Sequence, residues 1–95
     1  MKITREQEAK LPDFPDHKSA REYFKALYGS NFVLTLSEEI DGVKWYFYHL
    51  ILNKETYLNE REKIQKEGHL HDARDFLNSY QEVQVSEEGI IHVVY

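Results

Sequence analysis

Apolar residues in the first third of the chain recur with the period of an amphipathic helix. They fall on one helical face: Ala20, Tyr23, Phe24, Leu27 and Tyr28. Ser19 and Glu22 have the spacing of a capping box, in which each side chain binds the backbone amide of the other residue. Gly29 follows, where a left-handed helix cap favours glycine. We therefore predict a helix that begins at Ser19 and ends near Tyr28.

Alternating patterns further along predict two β-hairpins. Residues 32–37 alternate as a strand, and Asp41-Gly42 favours a tight turn before a long strand at 43–52. This strand is apolar on both faces, with Val43, Trp45, Phe47, His49 and Ile51 on one and Lys44, Tyr46, Tyr48, Leu50 and Leu52 on the other. We expect such a strand at the centre of a sheet, covered on both sides. Residues 82–86 and 90–95 predict the second hairpin.

Two helices are predicted between the hairpins. Asn53 caps the first, which extends to about Glu67 and carries a thin apolar stripe of Tyr57, Leu58 and Ile64. A stripe this thin is typical of a solvated surface helix. The second helix covers residues 72–80, with Asp72 at its start.

Length and composition limit the chain to one domain. The 95 residues leave no room for a second core, and the absence of cysteine excludes disulfides and thiolate chemistry. Thr4 caps a short helical turn that Pro12 ends. We expect residues 1–15 to form a frayed arm and linker, and residues 16–95 to form a single α+β domain.

The two halves of this domain resemble each other, which suggests an internal repeat over residues 19–52 and 72–95. Three segments match: Ser-Ala-Arg-Glu with Asp-Ala-Arg-Asp, Leu-Thr-Leu-Ser-Glu-Glu with Val-Gln-Val-Ser-Glu-Glu, and the strands after Gly42 and Gly89. Chance convergence of common caps and turns is the alternative. Both interpretations predict a two-layer sandwich, in which a four-stranded antiparallel sheet comes from two helix–hairpin (αββ) units joined by a connector helix, with the helices on one face.

Charge disfavours some classes of partner. The net charge is −5, and residues 26–95 hold twelve Asp and Glu against six Lys and Arg. An acidic body repels phosphate backbones, so we do not expect nucleic-acid binding. No signal sequence or membrane-length apolar segment is present, so we expect no membrane partner and a cytoplasmic location.

The histidines are the main candidates for chemistry. His69 and His71, beside Asp72, form the densest set of potential metal ligands, but we favour the interpretation of a polar link between two helices, with Asp72 as a helix cap. His49 lies on an apolar strand face, which is typical of a hydrogen-bonded core histidine. The chain has no phosphate-binding glycine motif and no nucleophile elbow. We therefore predict no catalytic residue, no metal and no other cofactor, and keep a site at His69 and His71 as an alternative.

The long aromatic strand predicts a binding surface. If Trp45 and Phe47 face the helices, then Tyr46, Tyr48 and Leu50 form an exposed face larger than monomers usually leave. Tyrosine is enriched in contact sites because it is large, rigid and amphipathic. A protein partner or a second copy of the chain would cover that face. The alternative is that the arm or the helix at 54–67 covers it.

Together these patterns predict a small soluble protein-binding or regulatory module without enzymatic activity. An excess of Lys over Arg, eight to four, favours a bacterial or phage-borne protein. One alternative is a small metal-binding protein or enzyme that uses His69 and His71. Another is a nucleic-acid-binding domain, in which Lys18, Arg21 and Lys25 contact phosphate.

Overall fold

A four-stranded antiparallel sheet with helices around it forms the fold of the computed structural model, which describes residues 2–67 and 73–95. The elements in chain order are α1 (Arg5–Ala9), α2 (His17–Tyr28), β1 (Phe32–Ile40), β2 (Val43–Ile51), α3 (Lys54–Glu67), α4 (Ala73–Asn78), β3 (Tyr80–Ser86) and β4 (Ile91–Val93). The predicted α+β class and four-stranded antiparallel sheet are confirmed. None of the described helices is both long and apolar enough to cross a membrane.

The strands follow one another across the sheet in the order β1-β2-β3-β4. The Asp41-Gly42 turn joins β1 to β2 with positive φ angles of 51° and 82°, as a type I′ hairpin turn requires. The register shifts between Leu34 and Leu36, because Thr35 is an extra residue opposite β2. After this bulge, Leu36 lies beside Phe47 on the face opposite to that of Leu34.

The main core lies between α2 and the face of β2 that carries Tyr48 and Leu50, which we call the core face. Phe24 of α2 packs on Phe32, with ring centroids 5.1 Å apart, and Phe32 stacks on Tyr48 at 4.3 Å. Val83 and other buried residues complete this core. Full burial of an aromatic or aliphatic side chain contributes about 1.5–3 kcal/mol. The apolar stripe of α2 therefore anchors the helix to the sheet.

Helix α2 begins two residues earlier than predicted. Asp16 is the N-cap, and its carboxylate accepts a hydrogen bond of 2.8 Å from the Ser19 amide. This bond holds the pKa of the Asp16 carboxyl below its usual value. The prediction of a cap at Ser19 was wrong because Asp16, three residues earlier, provides an equally good cap and adds most of a turn to the helix.

The amino-terminal segment is bound to the body of the protein. Ile3 is buried, its N–H donates to the Gln81 side-chain oxygen at 2.8 Å, and its carbonyl accepts from the Gln81 amide nitrogen at 2.9 Å. Leu11 and Phe14 pack against the core. The expectation of a frayed arm was therefore wrong, because the side-chain amide of Gln81 binds both the N–H and the carbonyl group of Ile3.

Helices α3 and α4 pack on the opposite face of the sheet. Tyr57 of α3 and Phe76 of α4 stack on each other at 5.5 Å, and both contact the ring of Tyr80. Tyr80 was expected in the preceding helix, but it pairs with Ile51 as the first residue of β3. The helices thus lie on both faces of the sheet rather than in one layer. The cause is β2, whose two apolar faces both require cover.

Candidate interaction face

Two of the three residues expected on a binding surface lie inside the protein. Tyr48 and Leu50 have no exposed surface, and Tyr46 is half-buried. The face that they share is covered within the chain, which was the alternative interpretation, but α2 provides most of the cover. The sequence left open which face of β2 meets the main core, and in the structure it is the face of Tyr48 and Leu50 rather than that of Trp45 and Phe47.

His17 of α2 is the hydrogen-bond partner of the hydroxyl group of the buried Tyr48. The His17 Nε2 atom lies 2.6 Å from the Tyr48 oxygen, and the His17 ring stacks on Tyr46 with centroids 3.6 Å apart. Burial, then the nearby Arg21 guanidinium, lowers the pKa of His17, while burial raises the pKa of Tyr48. These shifts favour a neutral imidazole that accepts from the tyrosine hydroxyl. The pair therefore stabilises the packing of α2 on the sheet.

His49 has a similar environment on the opposite face. Its ring stacks on Tyr80 at 3.7 Å, and its Nδ1 atom lies 3.0 Å from the Tyr57 hydroxyl oxygen. Burial is the main cause that lowers the pKa of His49. The predicted hydrogen bond of this histidine is present, but its side chain is half-buried and does not belong to the main core.

A groove of about 320 Å³ runs between α3 and the sheet beside His49. Most of the surface that its lining residues expose to the groove comes from apolar atoms, although several of these residues also carry polar groups. The lining residues are Thr35, His49, Tyr57, Arg61, Ile64, Gln65 and Phe76. Thr35 donates its hydroxyl hydrogen to the Phe47 carbonyl oxygen at 2.9 Å, so the polar group of this residue is occupied. A volume of this size, at the lower end of the range for ligand pockets, can receive a single apolar side chain or a small apolar molecule.

The helices cover only part of this side of the sheet. Beyond His49 lies a strip that we call the open face, formed by Leu36, Ile40, Val43, Trp45 and Phe47. Leu36 is 52% exposed and Ile40 is 43% exposed, while the other three residues are half-buried. Because Leu36 pairs with Phe47 and Ile40 pairs with Val43, the strip extends across both strands, and it is interrupted on β1 by Glu38. This apolar surface is the strongest candidate for a contact site in the described part of the chain.

Carboxylates border the open face. Glu38 of β1 pairs with Trp45 and lies between Leu36 and Ile40 on the same face, and Glu82 of β3 pairs with His49, beyond the end of the strip. We call these two residues the acidic rim. The turns after β1 and β3 emerge at the same end of the sheet and carry Asp41, Glu87 and Glu88. Carboxylates are therefore present on the face and at one end of the sheet, whereas the β3 residues beside Phe47 and Trp45 are the uncharged Gln84 and Ser86, and Arg61 lines the adjoining groove.

The other candidate residues do not form a site that the structure describes. His69, His71 and Asp72 lie outside the described residues, and within 2–67 and 73–95 no cluster of three His, Asp or Glu side chains could hold a metal ion. His92 is exposed and pairs with Gln84 on β3. Lys18, Arg21 and Lys25 are exposed along α2, and Lys25 donates to the Phe32 carbonyl oxygen.

Comparison with protein-family models, with curated proteins and with solved structures gives no match for this chain. The open face, the groove and the acidic rim are therefore the features from which we infer a function.

Proposed function

We propose that the protein is a non-enzymatic module that binds another protein through its open face. The observation that carries this proposal is the exposure of Leu36 and Ile40 beside a half-buried Trp45, on the side of the sheet opposite to the main core. Burial of exposed apolar surface is the main favourable term in most protein association. Tryptophan is also among the residues that most often dominate binding energy.

The size of the strip suits a weak or transient partner. Leu36 and Ile40 are four residues apart on one strand, which corresponds to about 13 Å. A standard interface buries about 800 Å² on each partner, so the rim residues must contribute to the contact as well. An apolar centre with a polar border is the usual anatomy of such interfaces.

The environments of the histidines support a role without catalysis. His17 and His49 are each engaged by a tyrosine hydroxyl group and by a stacked tyrosine ring. Both side chains therefore contribute to packing of helices on the sheet. A general base needs a carboxylate or another partner that orients it towards a substrate, and the hydrogen-bond partners of these two imidazoles are tyrosines that pack in the fold.

Affinity capture from cells that naturally produce the protein tests this proposal. The bait variant Leu36→Ser/Ile40→Ser should lose at least 90% of a partner that the wild type retains, since each serine removes an apolar contact worth about 1–3 kcal/mol. The matched control is Leu27→Ser/Leu77→Ser, because Leu27 and Leu77 are 58% and 57% exposed on other elements. Equal capture by both double variants would contradict the proposal.

A further inference from the structure

We infer that the open face binds a cationic amphipathic helix of a partner protein. This inference rests on the proposed function and adds the chemistry of the partner to it. Three features of the described residues carry the argument: the sign of the charges around the strip, the length of the strip, and the groove beside it.

Charge gives the first feature. Glu38 lies on the open face between Leu36 and Ile40, Glu82 lies beyond the strip beside His49, and three further carboxylates lie in the two turns at one end of the sheet. The whole chain carries a net charge of −5. A partner with Lys or Arg at the edges of its contact surface would meet opposite charge, whereas an acidic partner would be repelled.

Geometry gives the second feature. On the core face, α2 covers the sheet with an apolar stripe along its 12 residues. The open strip is about 13 Å long, which equals roughly nine residues of helix at 1.5 Å per residue. A helix of about two and a half turns therefore spans the strip, and its packing would give the sheet a helical layer there as well. Apolar positions at helical spacing are the usual anchors in this mode of recognition.

The groove under α3 gives the third feature. Thr35 lines the groove, and the next residue along the chain, Leu36, belongs to the open face. A helix on the strip would thus place one aliphatic side chain in this groove, whose lining includes Ile64 and Phe76. Such an anchor in an apolar pocket contributes more to affinity than contacts on the flat part of a surface.

A second copy of the chain fits this surface less well. If two open faces met, the acidic rim of one copy would lie against the acidic rim of the other. Like charges brought together in an interface oppose association. The rim therefore favours a cationic partner over self-association.

Fluorescence of Trp45 tests the inference directly, because Trp45 is the single tryptophan of the chain and lies on the open face. The probe is a designed peptide of about 18 residues with Leu on one helical face and Lys on the other, a length that supports helix formation. The controls are the same design with Glu in place of Lys, and with Ser in place of Leu. We expect a saturable shift of Trp45 emission to shorter wavelength with the Leu/Lys peptide, and no saturable shift with either control.

Rim variants identify the source of the affinity. Glu38→Gln/Glu82→Gln should weaken binding of the Leu/Lys peptide about tenfold at low salt, since each lost charge pair at a partly exposed rim accounts for roughly threefold. The matched control, Glu6→Gln/Glu22→Gln, removes the same charge from α1 and α2 and should change the affinity less than about twofold. A rise in salt from about 50 to about 300 mM should weaken binding to the wild type more than to the rim variant.

Different failures separate this inference from the proposed function. Equal binding of the Leu/Glu peptide, or an unchanged affinity in Glu38→Gln/Glu82→Gln, would overturn the cationic partner. The proposed function would still stand if capture of a native partner required Leu36 and Ile40. A dimer in sedimentation that Leu36→Ser/Ile40→Ser dissociates would instead identify a second copy as the occupant and overturn the inference.

Discussion

Two histidines within the fold, His17 and His49, have lowered pKa values because burial disfavours their charged forms. The unfolded chain binds a proton near pH 6.5, whereas the folded chain binds it only at lower pH. The stability that the neutral rings provide is therefore complete above about pH 6.5 and is lost as the pH falls below that value.

We accordingly expect the urea midpoint of unfolding to decrease as the pH falls from about 7.5 to about 5.5. The variants His17→Gln and His49→Gln should each reduce this decrease, and His92→Gln, which changes an exposed side chain on β4, should leave it unchanged. Chemical denaturation followed by circular dichroism measures the effect. A wild-type midpoint that is constant over this range would contradict the assignment.

The N-cap of α2 depends on one residue, Asp16. Removal of the Asp16 carboxylate leaves the Ser19 amide without its partner. We expect Asp16→Ala to lower Tm by about 5 °C, a typical effect for a lost N-cap in a chain of this size. Ser19→Ala should lower Tm by less than half as much, because Ser19 lies inside the first turn. If thermal denaturation showed a larger loss of Tm for Ser19→Ala than for Asp16→Ala, Ser19 would be the N-cap, as the sequence predicts.

Among the elements, the two hairpin turns differ in the space around their glycines. Gly42 and Gly89 both have positive φ angles, of 82° and 89°. A Cβ at Gly42 would meet no atom within 4 Å, whereas at Gly89 it would lie 2.8 Å from the Phe14 carbonyl carbon and 3.1 Å from the Asp16 nitrogen. The arm thus passes directly over the second turn.

The glycine pair gives a matched prediction. Gly42→Ala should lower the free energy of unfolding by about 1 kcal/mol, from backbone strain alone. Gly89→Ala should lower it by about 3 kcal/mol or more, because the backbone of the arm must also move. Urea denaturation measures both values. Equal losses would show that the arm does not pack on this turn in solution.

The elements could be predicted from the sequence where the local signals agree. The Asp41-Gly42 turn, the Asn53 cap of α3 and the apolar stripe of α2 each follow from a short pattern. The bulge at Thr35 does not, because an extra residue in β1 leaves no mark in the alternation of its side chains. The two helix–hairpin segments are present, but α2 and α4 lie on opposite faces, so the internal repeat stays a hypothesis.

The arrangement of the whole molecule depends on which face of β2 is buried against α2. Both faces are apolar, so periodicity predicts a covered strand without showing which face meets α2. The aromatic strand itself was found from the sequence, but Leu36 and Ile40 were missed as surface residues. Their exposure follows from the bulge and from the limited reach of α3, which are tertiary features.

A pair of substitutions distinguishes the two faces. Leu50→Ala should lower the free energy of unfolding by about 2–5 kcal/mol, because Leu50 is fully buried on the core face. Ile40→Ala should change it by less than about 1 kcal/mol, since Ile40 is 43% exposed on the open face. The reverse order in urea denaturation would mean that the open face is the true core.

The clamp between Ile3 and Gln81 also has a consequence for the order of folding. Neighbouring strands of the sheet are consecutive in sequence, so each hairpin closes a short loop, whereas the clamp joins residues 78 positions apart. Long loops close slowly and with a larger loss of chain entropy. We expect pulse-labelled hydrogen exchange to show protection of the β1–β2 amides before that of the Ile3 amide. The first residues of the chain would thus be the last to reach their native place.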